Sequence, residues 1–181
     1  MHDGAPERAF VNTPVESDTT SPALDSEFVI EQIEVPSALG VPTPAPFTLA
    51  LQVSVRSLGS TIAHVSNVEY VRWIDRIAEL HGTQIGSSRA QLLAQDRLWF
   101  VSRHEVDYLG ESFARDQLAC ATWISRAGRT TIQRETLIWR RQCASPICRA
   151  SSRWVYIDLT ARKPTRIPQS ELESLQPLVR R

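Results

Sequence analysis

The order of the apolar patterns along the chain predicts an α+β domain, in which one long helix packs on an antiparallel sheet. One strand pattern comes first, a long helical pattern follows it, and four further strand patterns then run in series. Strands that alternated with helices would instead favour a parallel sheet. A chain of 181 residues with 42% hydrophobic residues is sufficient for one domain with a substantial core.

The sequence before the first strand lacks a folding pattern. Residues 1–26 are rich in Pro, Ser, Thr and acidic residues, which predicts a disordered tail. Residues 27–46 form a connector whose prolines concentrate in 35–46, and proline favours extended backbone. The domain itself is expected over 47–181. It begins with a strand over 47–56, where large apolar residues alternate with small or polar ones.

The long helix is predicted over 66–81. Ser66 and Glu69 have the spacing of a capping box, in which each side chain accepts from the backbone N–H of the other residue. Apolar residues fill most of the helix surface and leave one polar stripe, which suits a helix enclosed by a curved sheet. Gly82 is expected to end the helix, because glycine is the preferred residue just after a helix C-terminus.

The four later strands are predicted at about 97–108, 115–125, 129–141 and 147–159. The pair Ala127 and Gly128 favours a tight turn between the second and third of them. Residues 86–93 fit either a short helix or a loop, and residues 170–175 fit a short terminal helix. The sheet would then contain about five antiparallel strands.

Composition and charge argue against several kinds of partner. The 20 basic and 20 acidic residues give a formal net charge of zero, which argues against general binding of nucleic acid or of an anionic membrane surface. The sequence has no apolar run of membrane-spanning length and no secretory signal pattern. Three cysteines favour free thiols in a cytoplasmic protein, with a bridge between Cys143 and Cys148 as an alternative. No metal-ligand cluster or phosphate-binding loop is present, so no metal or cofactor is expected.

The start of the helix is the first candidate for chemistry. The capping pattern uses the backbone N–H of Glu69 and leaves those of Asn67 and Val68 free at the positive end of the helix dipole. Two such donors can stabilise a carbonyl oxygen that gains negative charge during a reaction, as in an oxyanion hole.

The same segment carries a family resemblance. Residues 64–73, His-Val-Ser-Asn-Val-Glu-Tyr-Val-Arg-Trp, resemble the His-Val-Asn-Asn-x-x-Tyr-Leu-x-Trp-x-Glu signature of the hotdog-fold acyl thioesterases. These are the 4-hydroxybenzoyl-CoA thioesterase-like enzymes and, more distantly, the acyl-ACP thioesterases. Weaker similarity continues in residues 104–116 and 162–168, so that the resemblance covers about 47–176. It implies a hotdog fold, in which a curved antiparallel sheet wraps one long central helix.

The resemblance implies hydrolysis of a thioester, with the helix start at Asn67 polarising the carbonyl. Many of these thioesterases have an Asp four residues before the histidine, where this chain has Ser60. A serine at that position can orient water or bind substrate, but it is no general base without help. His64 is the strongest candidate for that role, because histidine ordinarily exchanges protons near neutral pH. A histidine that only satisfies a loop carbonyl is the structural alternative.

Glu69 and Asp75 are further catalytic candidates, Asp75 because it stands where the family signature has Glu. Each also has a structural interpretation, Glu69 in the capping box and Asp75 in a helix-surface salt bridge with Arg72. Two aromatic residues suit an acyl pocket or the core, and two arginines suit coenzyme A phosphates, a carrier protein or plain solvent. These substrate-binding candidates are Tyr70, Trp73, Arg126 and Arg129.

Two functions remain open from the sequence alone. One is hydrolysis of an acyl-CoA or acyl-ACP thioester. The other is a non-hydrolytic hotdog module for acyl binding or assembly, which Leu58 and Ser60 favour because they stand where the family has acids. In either case the resemblance implies a homodimer or a homotetramer, with active sites at the subunit interface.

Overall fold

An antiparallel sheet curved around one long helix forms the centre of the computed structural model, which describes residues 27–43 and 45–180. The tail predicted over 1–26 lies outside these residues. The main strands are β1 (Phe28–Ile30), β2 (Phe47–Gln52), β3 (Arg97–Tyr108), β4 (Gln117–Ala127), β5 (Thr131–Arg140) and β6 (Ser145–Asp158). Two-residue strands, β7 (Lys163–Pro164) and β8 (Val179–Arg180), lie at the margins. The helices are α1 (Asn67–Gln84), α2 (Arg89–Leu93) and α3 (Gln169–Leu175).

The strand order is β1-β2-β4-β5-β6-β3, so that β3 forms one edge of the sheet. The predicted α+β class and the central helix are confirmed. The sheet has six main strands where about five were predicted, because β1 pairs with β2 beyond the predicted set. The strand predicted over 47–56 is shorter than expected, since a 3₁₀ turn at Val55–Ser57 follows β2.

The central strand β4 is covered on both faces. Residues 118–122 are all buried, which explains why they do not alternate between apolar and polar. Leu118 and Cys120 pack in the core under α1. Ala119 and Ala121 face the other side, where Leu39 and its neighbours from the N-terminal segment pack on the outside of the sheet.

The start of α1 is capped by one side chain rather than by a reciprocal pair. The Ser66 hydroxyl accepts from the N–H of Glu69 at 3.4 Å, as predicted. The Glu69 carboxylate binds Arg72 instead of the N–H of Ser66, which donates to the carbonyl of Ser57 at 3.3 Å. The predicted capping box is therefore wrong in its second half.

The end of α1 also differs from the prediction, because the helix continues through Gly82 to Gln84. The residue in the left-handed conformation is Gly86, with φ 75°. A Cβ on Gly82 would lie 2.8 Å from the carbonyl oxygen of Ser87, whose N–H donates to the Gly82 carbonyl at 2.7 Å. Gly82 thus permits the following segment to approach the helix closely.

One pair of ionisable side chains lies inside the core, between α1 and β5. Arg134 is 4% exposed and His81 is 9% exposed. The Arg134 guanidinium donates from Nη1 to Nδ1 of His81 at 2.9 Å. Burial, and secondarily the Arg134 charge, lower the pKa of His81 to about 3, so that its imidazole is neutral and can accept this hydrogen bond.

The free energy of unfolding should therefore decrease as the pH falls from about 6.5 to 5. In this interval His81 gains a proton in the unfolded chain, where its pKa is near 6.5, but not in the folded protein. The expected loss from this residue is about 1.5 kcal/mol. His81→Gln keeps an acceptor for Arg134 but does not titrate, so its urea denaturation should be less pH-dependent by that amount. Parallel pH curves for the two proteins would contradict the assignment.

Candidate active site

A cleft lies at the N-terminus of α1, between the helix start and the loop that follows β3. His64, Asn67 and Tyr70 line one side, and Tyr108, Gly110 and Glu111 line the other. The N–H of Val65 donates to the carbonyl of Ser112 at 2.8 Å, which holds the two sides together.

Two backbone donors are free at this helix start. The N–H groups of Asn67 and Val68 make no hydrogen bond with any residue in 27–43 or 45–180. Ser66 is extended, with φ −73° and ψ 152°, so the chain enters the helix without covering them. N–H groups at a helix start point along the helix axis toward its positive end. The cleft can therefore receive a carbonyl oxygen at these donors.

His64 lies beside the helix start with a carboxylate at its ring. Its Nδ1 is 3.2 Å from Oε1 of Glu111, and the two side chains are 30% and 65% exposed. The carbonyl of His64 accepts from the N–H of Gly59 at 2.8 Å, which anchors its backbone. With Nδ1–H directed at Glu111, the lone pair of Nε2 is available to a water molecule.

Glu111 was not identified from the sequence. It follows β3 and reaches His64 only because the loop after this strand folds back on the helix start. Its backbone carbonyl accepts from Nη2 of Arg140 at 3.0 Å, which helps to fix that loop. No local motif marks this glutamate, since its role depends on a contact between distant parts of the chain.

Ser60 lies in the exposed loop between Gly59 and His64 and does not line the cleft. Its hydroxyl makes no hydrogen bond with any residue that the structure describes. The proximity of Ser60 to His64 in the sequence therefore does not bring its side chain into the group of His64, Asn67 and Glu111.

The carboxylates of Glu69 and Asp75 bind arginines and do not line the cleft. Glu69 accepts from Nε of Arg72 at 2.8 Å, and Nη2 of Arg72 also binds Oε2 of Glu27 at 2.5 Å. The hydrogen bond that Arg72 donates to Glu69 is the main cause of the raised pKa of Arg72. Asp75 binds Nη2 of Arg89 at 3.3 Å, so the salt bridge predicted with Arg72 is not formed.

Tyr70 and Trp73 occupy different environments. Tyr70 is 3% exposed and forms the floor of the cleft, with its ring 5.6 Å from that of Tyr108 in an edge-to-face contact. Burial raises the pKa of the Tyr70 phenol, and the nearby hydroxyl of Ser112 partly opposes this rise. Among the described residues, the hydroxyls of Tyr70 and Ser112 have no hydrogen bond of normal geometry. Trp73 is completely buried in the core and does not reach the cleft.

Arg126 and Arg129 are exposed at the turn between β4 and β5. Residues next to this turn, such as Ile132, pack with Ala78 from the second half of α1. The turn therefore lies at the end of the sheet opposite to the start of α1. Within one chain the two arginines do not belong to the cleft.

Comparison with known proteins shows to which family this chain belongs. The family model of the acyl-ACP thioesterase N-terminal domain matches residues 52–175. The chain belongs to this family. The acyl-(acyl-carrier-protein) hydrolase of Cuphea viscosissima chloroplasts is 23% identical over 155 residues, which are 82% of this chain and 38% of that protein. The chain thus spans less than two fifths of the length of this relative.

Solved structures confirm the hotdog fold. The 1,4-dihydroxy-2-naphthoyl-CoA thioesterase from Synechocystis is 18% identical, with a TM-score of 0.68 over 74% of this chain and 98% of that one. The acyl-ACP thioesterase from Bacteroides thetaiotaomicron is 18% identical, with a TM-score of 0.60 over 66% of this chain and 49% of that one. This thioesterase-family chain therefore corresponds to all of one hotdog structure and to half of a longer one.

In residues 27–43 and 45–180 of this thioesterase-family chain, no helix is both long and apolar enough to span a membrane. The same residues contain no group of three or more His, Cys, Asp or Glu side chains that is placed to hold a metal ion.

Proposed function

We propose that the chain hydrolyses an acyl thioester, either an acyl-CoA or an acyl-ACP, to a free acid and a thiol. The observation that carries this proposal is the cleft where Asn67, whose N–H is free, adjoins His64 and its partner Glu111. Membership of the acyl-ACP thioesterase family supports the reaction class. The names of the relatives include both an acyl-carrier-protein hydrolase and a CoA thioesterase. These names support both coenzyme A and an acyl carrier protein as the thiol part of the proposed substrate.

In the proposed mechanism the thioester carbonyl accepts from the N–H of Asn67. Nε2 of His64 takes a proton from water as the water oxygen attacks the carbonyl carbon. The tetrahedral oxyanion is stabilised at the helix start, and its collapse breaks the C–S bond. The leaving thiolate takes the proton from the imidazolium, so that an acid and a thiol are released. Glu111 holds the ring and stabilises the imidazolium, a role that does not require an acid at position 60.

The other sequence candidates receive different roles in this proposal. Tyr70 would contact the acyl group from the floor of the cleft, whereas Trp73 supports the helix from the core. Glu69 and Asp75 hold the outer surface of α1 through their arginine partners. We propose no contact between the Ser60 side chain and the reacting atoms.

We also propose a homodimer in which two copies of β3 pair antiparallel. β3 is 12 residues long, and among the described strands it pairs only with β6. A long free edge with an exposed apolar side chain, Phe100 at 55%, is a ready site for a second strand. The outside of the sheet is already partly covered by the segment around Leu39, which favours a dimer over a homotetramer built on that face.

Antiparallel pairing of β3 would bring opposite ends of the two sheets together. If the two-fold axis passes near Arg103, Trp99 of one copy lies close to the Asp107–Tyr108 end of the other. The solvent-facing turn with Arg126 and Arg129 would then lie at the same end as the helix start of the second copy. This arrangement supports a role for the two arginines in binding coenzyme A phosphates or a carrier protein.

A cytoplasmic location remains a proposal. It is supported by the three cysteines, which are free thiols, two of them buried. Unpaired thiols are typical of reducing compartments.

A non-hydrolytic acyl-binding module is the second candidate. The observation that favours it is the absence of a carboxylate at Leu58 and Ser60, with Ser60 outside the cleft. Release of thiol from a panel of acyl-CoAs and an acyl-ACP separates the two functions. A thioester that raises the melting temperature but stays intact would support binding without hydrolysis.

The role of the Asn67 N–H can be isolated by a proline at this first helical position. Pro is favoured at the first position of a helix, and the extended Ser66 is compatible with it. Asn67→Pro should lower kcat by about 100-fold or more, since one oxyanion donor is lost. Asn67→Ala is the matched control, because it removes the side chain and keeps the N–H. Equal kcat values for the two variants would exclude the Asn67 N–H as the donor.

His64→Ala should lower kcat by about 100-fold, the usual scale for a general base. Glu111→Gln keeps an acceptor for Nδ1 but removes the charge, so we expect a smaller loss of kcat, about 10-fold, with KM unchanged. Steady-state thiol release measures both variants. A loss below threefold for His64→Ala would remove this residue from the mechanism.

The proposed dimer can be tested with Phe100→Arg, which places a new cation on the free edge of β3. Light scattering should detect a dimer for the wild type and a monomer for the variant, since a charged side chain on an edge strand opposes pairing with a second strand. Val68→Arg, at a side chain outside the strand that is even more exposed (78%), is the control for a general effect of added charge. A wild type that remains monomeric at high concentration would overturn the proposal.

A further inference from the structure

A second cavity lies between the second half of α1, the strands β3, β5 and β6, and the short helices. Much of its wall is apolar, from Ala78, Leu92, Trp99, Ile132, Trp154 and Leu175. Arg134 also lines this cavity, and it is the charged lining residue that is deeply buried. An apolar cavity that contains one buried cation suits a ligand with an apolar body and an acceptor group.

The guanidinium of Arg134 has no counter-ion among the described residues. Its Nη1 donates to Nδ1 of the neutral His81 at 2.9 Å and to Oγ1 of Thr122 at 3.3 Å. Its Nε is buried, and neither Nε nor Nη2 makes a hydrogen bond with any residue that the structure describes. These two nitrogens form one edge of the guanidinium, which can donate two parallel hydrogen bonds to a ligand.

The acidic residues around the cavity have other partners. Asp75 and Glu79 bind Nη2 of Arg89 at 3.3 and 3.8 Å at the rim. Glu171 accepts from the hydroxyl of Ser87 and from Nε1 of Trp99, the latter at 3.2 Å. A buried cation without a paired anion is costly, and a ligand carboxylate would offset this cost with two charge-assisted hydrogen bonds.

We propose that this cavity binds the acyl group of a substrate that ends in a carboxylate, and that the Nε–Nη2 edge of Arg134 recognises this carboxylate. The inference rests on the proposed thioesterase function and names its substrate class, an ω-carboxyacyl thioester. The apolar stem of the acyl group would lie against Trp99 and Trp154. Trp154 also has a buried indole N–H that lacks a hydrogen-bond partner among the described residues.

The cavity and the cleft are separate within one chain. Ala78 lies roughly 16 Å along the helix axis from Asn67, and the completely buried Trp73, Ile74 and Ile77 fill the space between. Leu98 and Trp99 on the edge strand line the cavity, and Tyr108 at the other end of that strand lines the cleft. In the proposed dimer an acyl group held in one copy would extend toward the helix start of the other.

The first experiment compares two acyl-CoA substrates of equal chain length, one ending in a carboxylate and one in a methyl group. The wild type should hydrolyse the carboxylate-ended substrate with kcat/KM at least about 10-fold higher. Arg134→Met should reverse this preference, and Arg134→Lys, which keeps the charge without the planar edge, should give an intermediate result. Arg153→Met, at an exposed arginine on β6, is the matched control. A wild type that prefers the methyl-ended substrate would overturn the proposal.

The second experiment measures binding without hydrolysis. A medium-chain fatty acid and the alcohol of equal length are titrated into the protein while tryptophan fluorescence is recorded, since two tryptophans line the cavity. The acid should bind the wild type about 10-fold more tightly than the alcohol, and Arg134→Met should abolish the difference. Equal affinities in the wild type would overturn the carboxylate site even if thioesters are hydrolysed. Preference for the acid with no hydrolysis of any thioester would instead reject only the thioesterase function.

Discussion

Burial of α1 against the curved sheet is the constraint on which the rest of the structure depends. Trp73, Ile74 and Ile77 are completely buried on this helix, and each such side chain stabilises the fold by about 1.5–3 kcal/mol. An 18-residue helix spans about 27 Å, so α1 crosses the sheet from one end to the other. Its free N–H groups and the cavity beside its second half therefore lie at opposite ends of the helix.

The cleft and the second cavity share one physical property: each has hydrogen-bond donors without acceptors among the described residues. At the helix start the unpaired donors are backbone N–H groups, and in the cavity they belong to the guanidinium of Arg134. Between them lies an apolar core. A ligand that satisfies both sites would have two acceptor groups joined by an apolar stem, and in the proposed dimer the two sites would come from different copies.

Some carboxylates near α1 bind arginines and have structural roles, whereas another carboxylate lies in the cleft beside a histidine. Glu69 binds Arg72 of α1 and Asp75 binds Arg89 of α2, and neither carboxylate lines the cleft. Glu111 is the one carboxylate among the described residues that line the cleft, and its partner there is His64. An acid supplied by the loop after β3 thus stands beside the histidine, far in the sequence from the segment that carries the helix start.

The sequence alone predicts the central helix, the strands after it, the Ser66 cap and the family signature, because each follows from the local spacing of residues. It also predicts His64 and Asn67 as candidates, which are near neighbours in the chain and both line the cleft. It did not reveal the partner of Glu69, the close approach that requires Gly82, the position of Glu111 or the burial of Arg134. Each of these depends on which distant segments pack together, and local periodicity carries no information about that. Only the closed tertiary structure decides whether a charged side chain meets a partner, solvent or a cavity.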